Sequence, residues 1–177
     1  MHLHLFNTQS RDFTKALKAF SELTAEKRNM SKSYTTGAMA VCVSDAVAVG
    51  IDIELKRARA PETIEHFVKK FSTFQIKNIP PEKDEQWFYR AWTAMESYFK
   101  LAGTGFGTQK DFALDIERRS VRRDGREIAW LEYFDIGDFI ICICSDEKFS
   151  KQDVRLSYYG WGEFDEKICP RIFGTGV

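Results

Sequence analysis

From Val47 to Arg57 the chain alternates: Val47, Val49, Ile51, Ile53 and Leu55 take the odd positions, and Ala48, Gly50, Asp52, Glu54 and Lys56 the even ones. Period two is the pattern of a strand with one apolar face. "HLHLF" (His2–Phe6) alternates in the same way and predicts a short strand. In "QSRDFTKALKAFSELTAEKR" the residues Phe13, Leu17, Phe20 and Leu23 recur at helical spacing and predict an amphipathic helix. "NMSKSYTTG" (Asn29–Gly37) is polar, ends in glycine and reads as a loop. "AMAVCVSDAVAVGIDIEL" holds two strands meeting near Ser44–Ala46, expected to form an antiparallel hairpin. Pro61 opens a helix through "ETIEHFVKKF", and Pro80–Pro81 place the following segment in a loop. The strongest helix signal is "QWFYRAWTAMESYFKLAG", with a stripe of Phe88, Trp92, Met95 and Phe99 and a stop at Gly103. "DFALDIERRSVRRDGREIAWLEYF" predicts a hairpin turning at Asp124–Gly125, and "DFIICICSD" a buried strand.

The order strand–helix–hairpin, then helix–helix–hairpin–strand, points to an α+β fold of two similar halves, approximately 1–54 and 55–177 of a single domain. Each half is expected to pack an antiparallel sheet on a helix. A doubly wound parallel fold suits the hairpins less well. The 177 residues are 44% hydrophobic and include 15 Phe, enough for a sizeable core. Lys plus Arg and Asp plus Glu both number 26, so bulk charge points to neither nucleic acid nor membrane. Cys42, Cys142 and Cys144 lie in apolar runs and Cys169 precedes Pro170, without the spacing of a zinc site. "FIICIC" falls far short of the ~20 apolar residues that span a bilayer. "MHLHLFNTQSRDF" lacks the pattern of a secretory leader. The expectation is a cytoplasmic protein in a reducing compartment.

Candidate chemistry begins on the even face of the Val47–Arg57 strand. Asp52 and Glu54 project together, and two unpaired carboxylates repel unless a cation lies between them. Mg²⁺ suits such oxygens and takes few protein carboxylates beside water and phosphate. Gly50, on the same face, leaves room for something bulky to approach. A solvated strand face is the plainer alternative. On the strong helix, Glu96 and Lys100 are neighbours on one flank, with Trp92 a turn earlier. Alone, they would be a surface ion pair. Together the two segments offer three carboxylates and a lysine, a set suited to a magnesium–pyrophosphate site.

"GIDIE" (Gly50–Glu54), followed by "WTAMESYFK" (Trp92–Lys100) and "KLAGTGF", resembles the paired signatures of the 4′-phosphopantetheinyl transferases, in particular the Sfp-type branch. The resemblance implies transfer of the 4′-phosphopantetheine arm of coenzyme A to a serine of an apo acyl or peptidyl carrier protein, with release of 3′,5′-ADP. It implies Asp52, Glu54 and Glu96 as magnesium ligands, Lys100 as a phosphate contact, and Glu96, or a water it holds, as the base. Two departures stand out. Met95 replaces the first lysine of the helix signature. "SYTTG" (Ser33–Gly37) replaces an S-H-S-G-like turn, with Tyr34 or Thr35 near the histidine's place and Lys32 close enough to substitute. The N-terminal half is also shorter than usual for this branch. The losses fall on coenzyme A binding and motivate a second reading, a weakened or inactive homologue that binds coenzyme A or a carrier protein. The first reading implies a monomer with both halves of the site in one chain.

The remaining motifs have plainer readings. His2 and His4 are a strand end, His66 a surface residue, and Gly103–Gly107 a helix stop and turn. Arg118, Arg119, Arg122, Arg123 and Arg126 straddle a hairpin tip. Lys56, Arg57 and Arg59, extended by Lys69, Lys70, Phe71 and Phe74, are better placed to steer an acidic carrier protein.

Overall fold

The computed structural model describes residues 1–24, 29–71, 76, 84–105 and 111–161. Its elements are β1 (His2–Asn7), α1 (Phe13–Thr24), β2 (Asn29–Thr35), β3 (Ala38–Ser44), β4 (Val49–Leu55), α2 (Pro61–Phe71), α3 (Glu85–Leu101), β5 (Ala113–Asp115), β6 (Ser120–Arg123), β7 (Arg126–Ile136), β8 (Phe139–Ser145) and β9 (Arg155–Tyr159). The strands form two sheets, ordered β2-β3-β1-β9 and β4-β8-β7-β6-β5. All pairings are antiparallel except β1 with β9.

Alternation along the strands sorts side chains into separate cores. Phe6, Met39, Val41 and Val43 face α1, where Phe20 is buried with Phe13 and Leu17 beside it. The opposite face of that sheet, with Leu3, Leu5, Ala38, Ala40 and Cys42, meets Val49, Ile51, Ile53, Ile141 and Ile143 of the other sheet. The far side of the second sheet, including Leu131, Tyr133, Ile140, Cys142 and Cys144, packs against Phe67 of α2 and Met95, Tyr98 and Phe99 of α3. The layers therefore run helix, sheet, sheet, helices, and strands such as β3, apolar from Ala38 to Val43, are buried on both sides. The α+β class and the packing of a helix on each sheet follow the expectation.

Helix α3 is well delimited. Asp84 caps its start by accepting from the Trp87 amide at 2.7 Å. Its end bonds Gly103 N to Lys100 O and Thr104 N to Phe99 O, with Gly103 at φ 63°, which is the glycine-stopped geometry expected there. The β6–β7 turn at Asp124 and Gly125 has positive φ at both residues, as a two-residue hairpin requires. Within the long hairpin segment an additional strand, β5, pairs with β6.

Two expectations are overturned. Asn29–Gly37 is not a loop: Asn29–Thr35 is strand β2, paired with β3 across a turn at Gly37. Its inward positions are hydroxyls that bond β4 instead of an apolar face, so period-two hydrophobicity is missing. The β3–β4 hairpin does not form, because β4 pairs with β8 in the other sheet and the Ser44 hydroxyl accepts from the Ala46 and Val47 amides at the crossing. Strand β4, before the expected division near residue 54, lies in the second sheet; β1, α1, β2 and β3 give the order β2-β3-β1, and β4, α3, β7 and β8 the order β7-β8-β4, with α2, β5 and β6 between them in the chain. Strand β9, absent from the sequence expectation, returns to the first sheet beside β1. The Pro80–Pro81 loop and Cys169 lie outside the described residues. No described helix is long and apolar enough to cross a membrane.

Candidate active site

The even face of β4 is covered by α3. At Gly50 the approach is extreme: a Cβ there would lie 2.0 Å from Ser97 O and 2.6 Å from Leu101 N. The glycine is required by the close approach of the helix backbone. This close packing brings the two signature segments into contact.

Asp52 is 4% exposed and Lys100 Nζ donates to its Oδ1 at 2.8 Å. Ser33 Oγ of β2 donates to the same oxygen at 2.7 Å and accepts from Lys100 Nζ at 2.9 Å. Asp52 Oδ2 is buried and has no hydrogen-bond partner. About two turns earlier on the helix, Trp92 Nε1 donates to Glu54 Oε1 at 3.1 Å. Glu96 lies half-buried between Trp92 and Lys100 on the same helix.

The three carboxylates act on one another electrostatically. Burial raises the Asp52 pKa above the ordinary value, against the opposing Lys100 charge and the hydrogen bonds from Lys100 and Ser33. Burial likewise raises Glu54, with the Asp52 charge adding to the rise and Trp92, Arg59 and Lys100 opposing it. Glu96 is raised by burial and the Asp52 charge, with a smaller push from Glu54, against Lys100. A cation would relieve all three. As they stand, no three His, Cys, Asp or Glu side chains among the described residues form a ready metal cluster. Asp52 is drawn onto Lys100 and Glu54 onto Trp92. The orphaned Oδ2, the hard oxygen donors and the uncompensated acidity nevertheless fit a small divalent ion that takes only part of its shell from protein.

The other expected site residues separate. Thr35 lies near β4, but its hydroxyl accepts from the Leu55 amide at 3.3 Å. Lys32 falls on the opposite face of β2, exposed with Met30 and Tyr34, and its ammonium sits 6.0 Å from the Tyr34 ring centroid. Its proximity in sequence to Ser33 therefore does not carry it to Asp52. Met95 is fully buried among the core residues of the second sheet and its helices, so the departure at this position is a packing choice.

Two features escaped the sequence. Ser33 completes the Asp52–Lys100 pair, and its signal was the every-second-residue series Ser31, Ser33, Thr35. Beside Glu54 a cavity of about 210 Å³ is lined by Arg59, Thr63, Phe88, Tyr89 and Trp92. Arg59 is held there by the Tyr89 hydroxyl at 2.9 Å, with its guanidinium carbon 5.4 Å from that ring's centroid. The arginines near the hairpin turn are engaged locally, Arg119 with Glu132 at 2.8 Å and Arg122 with Gly125 O at 2.7 Å. His66 is exposed, and His2 and His4 stack with ring centroids 4.0 Å apart in the first sheet, away from these carboxylates.

Residues 48–154 match the family model of the 4′-phosphopantetheinyl transferase superfamily. The chain is 26% identical over 124 residues to a 4′-phosphopantetheinyl transferase of Bacillus subtilis, an alignment covering 62% of this chain and 52% of the relative. The chain thus spans about half the length of that curated relative.

Proposed function

The chain belongs to the 4′-phosphopantetheinyl transferase superfamily, and from that premise we propose that it transfers the 4′-phosphopantetheine group of coenzyme A to a serine of an apo carrier protein. The observation that carries this is the 2.8 Å contact of Lys100 with Asp52, which joins the strand and helix signatures at one point. Asp52, Glu54 and Glu96 would hold Mg²⁺. Bound there, Mg²⁺ supplies neutralisation of pyrophosphate charge.

The protein's own groups do the rest. Lys100, its side chain 30% exposed, offers an ammonium to a phosphate oxygen of coenzyme A. Glu96, with its raised pKa, takes the proton of the carrier serine directly or through a water it holds. The serine oxygen bonds to the phosphorus that bears the pantetheine arm, the bond from that phosphorus to the nucleotide breaks, and 3′,5′-ADP leaves. Positioning and charge neutralisation suffice for such a phosphoryl-type transfer. On this reading the two β-α-β-β units are pseudo-twofold halves of one domain, a single chain carries the whole site, and the protein works as a cytoplasmic monomer. Lys56, Arg57 and Arg59, directly after β4, form the rim that meets an acidic carrier protein.

A second reading, a coenzyme A- or carrier-binding homologue without transfer, draws on one observation: Lys100 and Ser33 already occupy Asp52 Oδ1. One experiment separates the two. Purified protein, coenzyme A, Mg²⁺ and apo carrier proteins are incubated and the carriers weighed intact. Transfer predicts a phosphopantetheine adduct that disappears with Asp52→Ala. Measurable coenzyme A binding without any adduct across several carriers supports the second reading.

A further inference from the structure

Ser33 lies outside both signature segments, yet it is 5% exposed and touches both. Its hydroxyl donates to Asp52 Oδ1 at 2.7 Å and accepts from Lys100 Nζ at 2.9 Å, while Lys100 reaches the same Oδ1 at 2.8 Å. A hydroxyl has one proton and two lone pairs, so it can fill both roles at once. The result is a closed triangle of charge-assisted bonds. Its neighbours on the same face behave differently: Ser31 and Thr35 accept from the Ile51 and Leu55 amides at 3.0 and 3.3 Å. Those two hydroxyls cap backbone, whereas Ser33 engages side chains of the site.

The triangle has a consequence for Asp52. Both donors converge on Oδ1 and leave Oδ2 buried without one. An unsatisfied buried carboxylate oxygen is destabilising, and a hard cation is the kind of group that would satisfy it. We infer that Ser33 is a positioning residue of the transfer site, holding Asp52 so that Lys100 takes one oxygen and the other is kept for a divalent cation. This rests on the reading of the site as one that binds Mg²⁺ and coenzyme A.

The test compares Ser33→Ala, Ser33→Thr and Ser31→Ala with the unaltered chain. Calorimetric titration with Mg²⁺ is expected to show affinity weakened about tenfold or more in Ser33→Ala, the scale for losing a residue that orients a metal ligand. Ser33→Thr keeps the hydroxyl and restores most of it, and Ser31→Ala leaves it unchanged. In transfer assays Ser33→Ala raises the Mg²⁺ concentration needed for half-maximal rate more than it lowers the rate at saturating Mg²⁺. In protein with ¹⁵N-labelled lysine, the Lys100 ammonium resonance, shielded from solvent exchange in the unaltered chain and in Ser31→Ala, is lost in Ser33→Ala. Should Ser33→Ala not fold, Ser33→Cys keeps the volume with a much weaker hydrogen-bonding group and carries the same expectations. Unaltered Mg²⁺ affinity with an intact ammonium resonance in the Ser33 variant overturns the inference alone. An unaltered chain that takes up neither Mg²⁺ nor coenzyme A overturns it together with the functional reading.

Discussion

Glu96 shows how one side chain carries opposed demands. Burial and the Asp52 charge raise its pKa in the folded chain, so folding favours its protonated form. The sign follows by linkage: the contribution of Glu96 to stability is complete below the unfolded value of about 4.3 and is lost as pH rises through the higher folded value. Glu96→Gln is therefore expected to stabilise the metal-free protein at neutral pH by about 1 kcal/mol. That gain in urea midpoint should shrink on acidification toward pH 4. On the proposed mechanism the same change removes the base, and transfer should fall by about 10² or more. A variant less stable than the original at neutral pH would contradict the electrostatic account, and one with full activity would remove Glu96 from the mechanism.

The contact of α3 with β4 is the element on which the site depends. It brings Trp92 to Glu54 and Lys100 to Asp52, and it needs a bare backbone at Gly50, where Ser97 O fills the space of a Cβ. Gly50→Ala is expected to cost about 3 kcal/mol or more in chemical denaturation, since the obstacle is helix backbone that cannot yield as a flexible side chain would. Transfer should drop with it, because the helix residues move away from the strand carboxylates. The opposite edge of β4 is closed by β2 hydroxyls, Ser31 on the Ile51 amide and Thr35 on the Leu55 amide. Thr35→Val should cost about 1–2 kcal/mol by leaving that amide unpaired. If Thr35 instead served phosphate binding, coenzyme A affinity would fall while stability held.

At the scale of the whole molecule, two sheets lie face to face with helices outside, and β4 and β2 meet where the sheets adjoin. The site thus draws Ser33 from one sheet and Asp52 and Glu54 from the other, while α3 closes over it with Glu96 and Lys100. A cation bound there holds both sheets and α3 together, so Mg²⁺ should raise thermal stability by mass action. At a hundredfold excess over its dissociation constant the gain is about 2.7 kcal/mol, reversed by chelator and absent in Asp52→Ala. An equal Mg²⁺ shift in Asp52→Ala would move the cation elsewhere. Strand β9 is also held at long range: it lies parallel to β1 and the Arg155 amide donates to Met1 O at 3.1 Å. Long-range parallel pairing of this kind leaves little local trace.

The sequence by itself determined the helices α2 and α3, the apolar strands β1, β3, β4 and β8, the Asp124–Gly125 turn, and the face of β4 that bears Asp52 and Glu54. Each of these is encoded locally, by periodicity, by a cap or stop, or by a turn residue at positive φ. Tertiary structure decided what those locally defined pieces touch. It made β2 a strand through hydroxyls that pair with another sheet's edge, sent β4 to β8 instead of β3, and filled the space beside Gly50 with helix backbone. It also turned Lys32 away from Asp52, and it brought Ser33 to the Asp52–Lys100 pair. Beyond the every-second-residue hydroxyls of β2, none of these has a signature within a few residues, because each is set by which surface lies opposite. The chemistry of the candidate site is written in residue types and spacing, and its geometry comes from two sheets and one helix packed together.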